Sequence, residues 1–236
     1  MVDRIAKQRL NVFMLVDCST SMRGERIKQV NGALRDIKSH LTEMQDENSN
    51  VDFYITVITY STDARLLNGD AMKAINEFDF KDIKAGGWSN LHLAYVKLEE
   101  LLKKESKGGV MPDYGGVAPI LLLLTDGHPT KWPLAEEMKD LKKLPWFNVA
   151  LKYGVAIELN DKRTRECLKE FVSGNGDLID CYNPSLLQRI IRIIILTASK
   201  VKSQSASVLS DKRRSITDDI KQQVQQALSE VDDWEW

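Results

Sequence analysis

Val12-Phe13-Met14-Leu15-Val16-Asp17-Cys18-Ser19-Thr20-Ser21 decides the fold: five apolar residues run straight into a carboxylate, followed by two serines one residue apart. A continuous apolar run bounded by polar turn residues reads as a strand buried on both faces, as in a parallel sheet covered by helices. Asp17, Ser19 and Ser21, which close it, are hard oxygen donors. They suit Mg²⁺, Ca²⁺ or Mn²⁺, whereas thiolate and imidazole clusters suit zinc or iron. Taken alone, Asp17 and Ser19 read as an ordinary cap of the next helix. Two further segments change that. Residues 120–124 form an apolar strand ending in Thr125-Asp126-Gly127, and Gly86-Gly87-Trp88-Ser89-Asn90 opens a helix in mid-chain.

Outward from these segments, strand-like and helix-like patterns alternate, which predicts an α/β fold: a doubly wound, mostly parallel sheet with helices on both faces. Strands are expected over 10–17, 52–60, 117–125, 147–157 and 178–182, with 62–67 as a short antiparallel strand at the edge. Helices are expected over 25–45, 72–78, 91–104, 134–144 (closed by Pro145), 162–172 and 184–200. Ile27, Val30, Leu34, Ile37 and Leu41 give the first helix its spacing of three and four. The glycine-rich stretch 107–116 follows a helix and lacks Gly-x-x-x-x-Gly-Lys-Ser/Thr, so it is a surface loop and not a phosphate cradle.

The alternation stops near Lys200, dividing the chain into a domain over 8–200 and an appendage over 201–236. The appendage begins Ser-rich and carries Lys212-Arg213-Arg214. Ile216, Ile220, Val224, Leu228 and Val231 then form a narrow apolar stripe, before an acidic, Trp-bearing tip at Asp232-Asp233-Trp234-Glu235-Trp236. The stripe predicts an amphipathic helix packed back on the domain, with a partner-binding appendage as the alternative. A chain of 236 residues with 43% hydrophobic content has room for one sizeable core, and a net charge of −1 gives no basic field for nucleic acid. Cys18, Cys167 and Cys181 are widely spaced and suggest a reducing compartment. No apolar leader opens the chain, and Arg192 interrupts the most apolar helix, so a cytoplasmic protein off the membrane is expected.

Asp17, Ser19 and Ser21, then Ser89, then Asp126 in Thr-Asp-Gly resemble the metal-ion-dependent adhesion site of von Willebrand factor A domains. That pattern is Asp-x-Ser-x-Ser, a Thr and an Asp, in that order. The resemblance covers residues 8–200 and implies a Rossmann-like sheet with one antiparallel edge strand. Val57-Ile58-Thr59-Tyr60-Ser61-Thr62-Asp63-Ala64, Gly86-Gly87 and Leu124-Thr125-Asp126-Gly127-His128-Pro129-Thr130 are most similar to the bacterial tellurium-resistance, TerY-like type. The likeness implies Asp17, Ser19, Ser21, Ser89 and Asp126 as ligands of Mg²⁺, with Mn²⁺ or Ca²⁺ as alternatives. It also implies a protein partner that lends an Asp or Glu to the ion. Such a partner would be kinase- or phosphatase-like, in a chemical-stress, tellurite-resistance or phage-defence system.

Departures from the family pattern mark a rim. Ser89 stands where the family usually has Thr, and its χ1 is freer than that of a β-branched residue. Trp88 reads as a partner anchor or as a cover for the sheet edge, and His92 as a capping or packing histidine able to tune the site with pH. His128 and Lys131 replace residues that are often acidic. With Arg23 they make the rim more basic and suited to an acidic partner. Binding, not catalysis, is expected, with no catalytic residues. A metal-assisted phosphohydrolase using Asp17 as nucleophile needs Asp-x-Asp, and Ser19 holds the third position. An RNA-binding ring protein needs helical repeats that are lacking. A domain with a vestigial metal site, binding through its sheet edge or tail, is the remaining alternative.

Overall fold

The computed structural model describes residues 7–47, 51–127, 129–174, 176–202 and 209–232. Seven strands form one sheet: β1 (Gln8–Asp17), β2 (Val51–Tyr60), β3 (Ala64–Leu66), β4 (Lys73–Ala74), β5 (Ile120–Thr125), β6 (Leu151–Ile157) and β7 (Gly176–Cys181). Their order is β3-β2-β1-β5-β6-β7, with β4 also on the outer side of β2. The β2-β1-β5-β6-β7 block is parallel, and β3 and β4 run antiparallel to β2. The expected antiparallel edge at 62–67 is therefore present as β3.

Alternation of side chains along the strands builds two cores. Leu10, Val12, Met14 and Val16 of β1 face one side, with Ile120, Leu122 and Leu124 of β5. On them pack α1 (Glu25–Glu47), α6 (Leu187–Lys202) and α7 (Leu209–Asp232), through residues such as Leu34, Ile194 and Ile220. Phe13, Leu15, Leu121 and Leu123 face the other side. There α2 (Leu91–Leu102), α3 (Ala135–Lys142), α4 (Pro145–Val149) and α5 (Lys162–Val172) cover them with Leu98, Leu141, Phe147 and Phe171. Helices on both faces of a mostly parallel sheet give the doubly wound arrangement.

Three expectations are corrected. Residues 72–78 are not a helix. Ile75 and Phe78, three apart and both buried, imitate one, but Met72 has φ +58° and Lys73–Ala74 pair with β2 before a turn. The strand expected from 117 starts at Ile120, because Pro119 has no N–H to extend the ladder. The strand expected from 147 starts at Leu151, because Pro145 opens the short helix α4 and preorganises its first turn. In the C-terminal region α7 buries Ile216, Ile220, Val224 and Ala227. The Ser-rich stretch over 203–208 and the tip over 233–236 lie outside the described residues.

From β1 the chain moves to β2 on one side and later returns to β5 on the other. That reversal creates a crevice at the carboxyl ends of β1 and β5, where open α/β sheets hold ligands.

Candidate metal centre

Val16 pairs in register with Leu124, so Asp17 and Thr125 end neighbouring strands side by side. The Asp17 carboxylate is fully buried. Its Oδ1 accepts the Ser19 backbone N–H at 2.8 Å, and its Oδ2 accepts the Ser89 hydroxyl at 2.9 Å and the Thr125 hydroxyl at 2.8 Å. Ser19 Oγ lies 3.0 Å from Ser21 Oγ, and Ser21 donates to Asp126 Oδ1 at 2.7 Å. All five sequence-predicted ligands thus meet in one hydrogen-bonded cluster, although Ser21 and Asp126 are 105 residues apart. The helix-cap explanation fails here. Ser19 precedes a single 3₁₀ turn, Thr20–Met22, and its side chain makes no capping bond.

The middle segment is strapped to the first by backbone bonds. Gly86 N–H donates to Cys18 O at 2.7 Å, and Gly87 O accepts both the N–H and the hydroxyl of Thr20 at 3.0 Å each. Gly87 has φ +90°, and a Cβ there would sit 2.5 Å from Thr62 Oγ1, so the strap requires glycine. Thr130 N–H donates to Ser89 O at 2.7 Å, tying the third segment to the second. Ser89 is buried and points its hydroxyl at Asp17, so the freedom expected of a serine χ1 is taken up by this bond.

Burial pushes the Asp17 carboxyl above its ordinary pKa; the bonds from Ser19 and Thr125 oppose that rise, and the nearby charge of Asp126 adds to it. Among the described residues no cationic side chain pairs with Asp17. A buried carboxylate held only by neutral donors is costly unless a cation compensates it. Two carboxylates with three hydroxyls are a donor set for a hard divalent ion, and these residues fit one. Among the described residues no group of three or more His, Cys, Asp or Glu converges to hold a metal ion, so a centre here depends on the serine hydroxyls beside the two carboxylates.

Asp126 has the opposite environment. Its Oδ2 accepts Nη1 of Arg26 from the first turn of α1, and the same Nη1 donates to the Ser21 carbonyl at 3.1 Å. Arg26 Nε in turn donates to Glu158 Oε2 at 2.7 Å. Arg26, Glu158 and the Thr125 hydroxyl were not singled out as site residues from the sequence. The available signal was a cation in the first turn of a helix, where the macrodipole favours carboxylates.

Around the site, Trp88 is 69% exposed. Arg23 is exposed and holds the Ala85 carbonyl at 3.3 Å. Lys131 is ion-paired with Glu137, so its charge is shared instead of free at the rim. His92 is half-buried with an unpartnered Nδ1; burial, then Lys131, lowers its pKa, against the pull of Glu137. His128 lies outside the described residues.

A model of the von Willebrand factor type A domain family matches residues 11–184. The chain belongs to that family. Among curated relatives, the inter-alpha-trypsin inhibitor heavy chain H1 of Sus scrofa is 31% identical over 130 residues, 54% of this chain and 14% of that protein. The chain thus spans only a small part of the relatives it matches. Among solved structures, the pilus adhesin SpaC from Lactobacillus rhamnosus GG in its open conformation aligns with a TM-score of 0.61 at 11% identity. That alignment covers 84% of this chain and 31% of the adhesin. Proximal thread matrix protein 1 from the mussel byssus, with a zinc-occupied MIDAS motif, aligns with a TM-score of 0.54 at 16% identity, covering 80% and 48%. As a von Willebrand factor A domain, the chain has the mostly parallel sheet and strand-end crevice described above. No helix among the described residues is long and apolar enough to cross a membrane.

Proposed function

We propose that this von Willebrand factor A domain is a metal-dependent protein-interaction module and not an enzyme. The observation that carries the reading is the convergence of Asp17, Ser19, Ser21, Ser89 and Asp126, with Asp17 buried and paired to no cation. These five residues would hold Mg²⁺, or Mn²⁺ or Ca²⁺, directly or through water. When bound, the ion supplies a positive centre with a coordination position for a carboxylate from outside. The chain's own part is to fix the donors, keep Asp17 out of bulk water and present a rim. Exposed Trp88 offers an apolar anchor, and exposed Arg23 favours an Asp- or Glu-bearing partner surface.

Burial and three donors commit the Asp17 oxygens, which weighs against Asp17 as a nucleophile in phosphoryl transfer. A place beside kinase- or phosphatase-like proteins in tellurite resistance, chemical stress or phage defence follows only from the likeness of 57–64 and 124–130 to that branch. Cytoplasmic location remains part of the same proposal.

Calorimetric titration with Mg²⁺ and Mn²⁺ tests the site, and affinity capture with and without chelator tests its use. Saturable binding by the wild type, lost in Asp17→Ala, together with chelator-sensitive capture, is expected. Absence of binding to either ion overturns the metal reading. Capture that survives both chelator and Asp17→Ala overturns the metal-bridged mode of interaction.

A further inference from the structure

Arg26 is the second residue of α1, where the positive end of the helix dipole is unfavourable to a cation. Carboxylates from two other loops hold it there. Nη1 donates to Asp126 Oδ2 after β5, and Nε and Nη2 contact Glu158 Oε2 after β6 at 2.7 and 2.6 Å. Glu158 has φ +48°, a left-handed conformation that costs a non-glycine residue, and there its carboxylate meets the guanidinium. With the Ser21 carbonyl also accepting from Nη1, one guanidinium joins the loops that follow β1, β5 and β6.

Both oxygens of Asp126 are therefore committed, Oδ1 to the Ser21 hydroxyl and Oδ2 to Arg26. A carboxylate neutralised in this way brings little net charge to a divalent ion. Asp17, Asp126 and Arg26 together then offer a charge close to that of Asp17 alone, which Glu158, held on Nε and Nη2 of the same guanidinium, partly restores. Affinity of hard-cation sites is tuned by how many charged ligands they offer. Resting on the metal-centre reading above, we infer that Arg26 is a built-in counter-cation that weakens divalent binding at this site, and that Glu158 moderates it. Arg26 is a positioning residue and not a ligand. It holds Asp126 in the cluster while cancelling its charge, which keeps the site weakly occupied and exchangeable. The side chains of Arg26 and Glu158 are 27% and 36% exposed, so the effect is open to screening by salt.

Charge and scaffolding make opposite predictions, which Mn²⁺ titration calorimetry separates. If charge dominates, Arg26→Gln lowers the Mn²⁺ dissociation constant by about tenfold, the equivalent of ~1.4 kcal/mol. Arg26→Lys keeps the charge and stays near the wild type. Glu158→Gln unmasks the guanidinium and weakens Mn²⁺ binding. The gap between Arg26→Gln and wild type narrows as NaCl rises from about 0.05 to about 0.5 M. A purely structural clamp would make Arg26→Gln and Glu158→Gln both weaken binding, and that result overturns the inference.

Circular dichroism melts in EDTA establish that each variant is folded. If Arg26→Gln does not fold, Glu158→Gln decides: Mn²⁺ binding weaker than wild type at about 0.05 M NaCl that recovers toward wild type at about 0.5 M supports the inference, and tighter binding, or a loss that salt does not change, overturns it. If wild type and all variants bind no Mn²⁺, the metal reading fails and this inference with it. If wild type binds and Arg26→Gln does not bind more tightly, only the role of Arg26 falls.

Discussion

Lys152 lies on β6 with 3% of its surface exposed, facing the core of α4 and α5, where its Nζ sits 4.4 Å from the centre of the Phe147 ring. No carboxylate among the described residues pairs with it. Burial, with Lys142 adding a like charge, lowers its pKa from 10.5 to about 8. Because the folded value is depressed, the unfolded chain binds the extra proton between pH 8 and 10.5, and this group costs stability in full below pH 8. A shift of that size corresponds to a penalty of about 3 kcal/mol at pH 7. Lys152→Met keeps most of the side-chain volume and removes the charge, at the loss of a cation–π contact of about 0.5–2 kcal/mol. The variant is expected to be more stable than wild type by about 1–3 kcal/mol at pH 7, with the difference falling by more than half at pH 9.5. The difference is the diagnostic quantity, because the buried thiols of Cys18, Cys167 and Cys181 pull the other way. Their pKa values are raised from 9.0 to about 11, 12 and 12, so stability from them is lost as pH rises above 9 in both proteins. Urea unfolding at pH 7.0, 8.5 and 9.5 measures it. A variant less stable than wild type at pH 7, or a difference that does not shrink with pH, would refute the reasoning.

In excess Mg²⁺ or Mn²⁺ at about a hundred times the dissociation constant, the domain should gain about 2.7 kcal/mol against unfolding. Differential scanning fluorimetry should lose that gain in Asp17→Ala, and finding the same shift in both proteins would place the ion elsewhere. Gly87→Ala forces a Cβ to 2.5 Å from Thr62 Oγ1 at φ +90°, so it should destabilise the fold by about 1–3 kcal/mol and weaken metal binding by displacing Ser89. An unchanged melt would show that the loop relaxes freely. Ile220→Ala, at a fully buried position of α7, should cost about 2–5 kcal/mol in urea unfolding; a cost near zero would mean that α7 contributes little to the core.

The sheet was legible because its central strands are apolar on both faces. The runs ending at Asp17 and Thr125 have no polar side that a surface helix would need. What was not legible is where local rules are overridden by pairing. Lys73–Ala74 become a strand only because β2 offers a free edge at Tyr54 and Ile55, 18 or more residues earlier in the chain. Ile75 and Phe78 at a helical spacing carried no hint of it. Prolines shifted two strand starts by a few residues in a predictable sense: Pro119 by lacking a donor and Pro145 by starting a helical turn. Pattern alone locates the apolar runs, and the missing N–H fixes their ends.

The site divides along the same line. That Asp17, Ser19, Ser21, Ser89 and Asp126 come together was legible in the sequence, because they follow the two central strands or lie in the glycine-bounded loop facing them. Their charges suggested an open two-carboxylate centre. The fold changes that electrostatic account, because Arg26 and Glu158 reach the cluster from α1 and from the end of β6, positions that no motif connects. Charge near Asp126 is cancelled within the chain, while Asp17 is left buried with neutral donors only. The two aspartates are therefore unequal. Asp17 has unsatisfied need for a cation, and Asp126 already has one. On the proposed reading, a divalent ion at this centre would be anchored mainly by Asp17, and the positive charge left uncompensated is what a partner's carboxylate would answer.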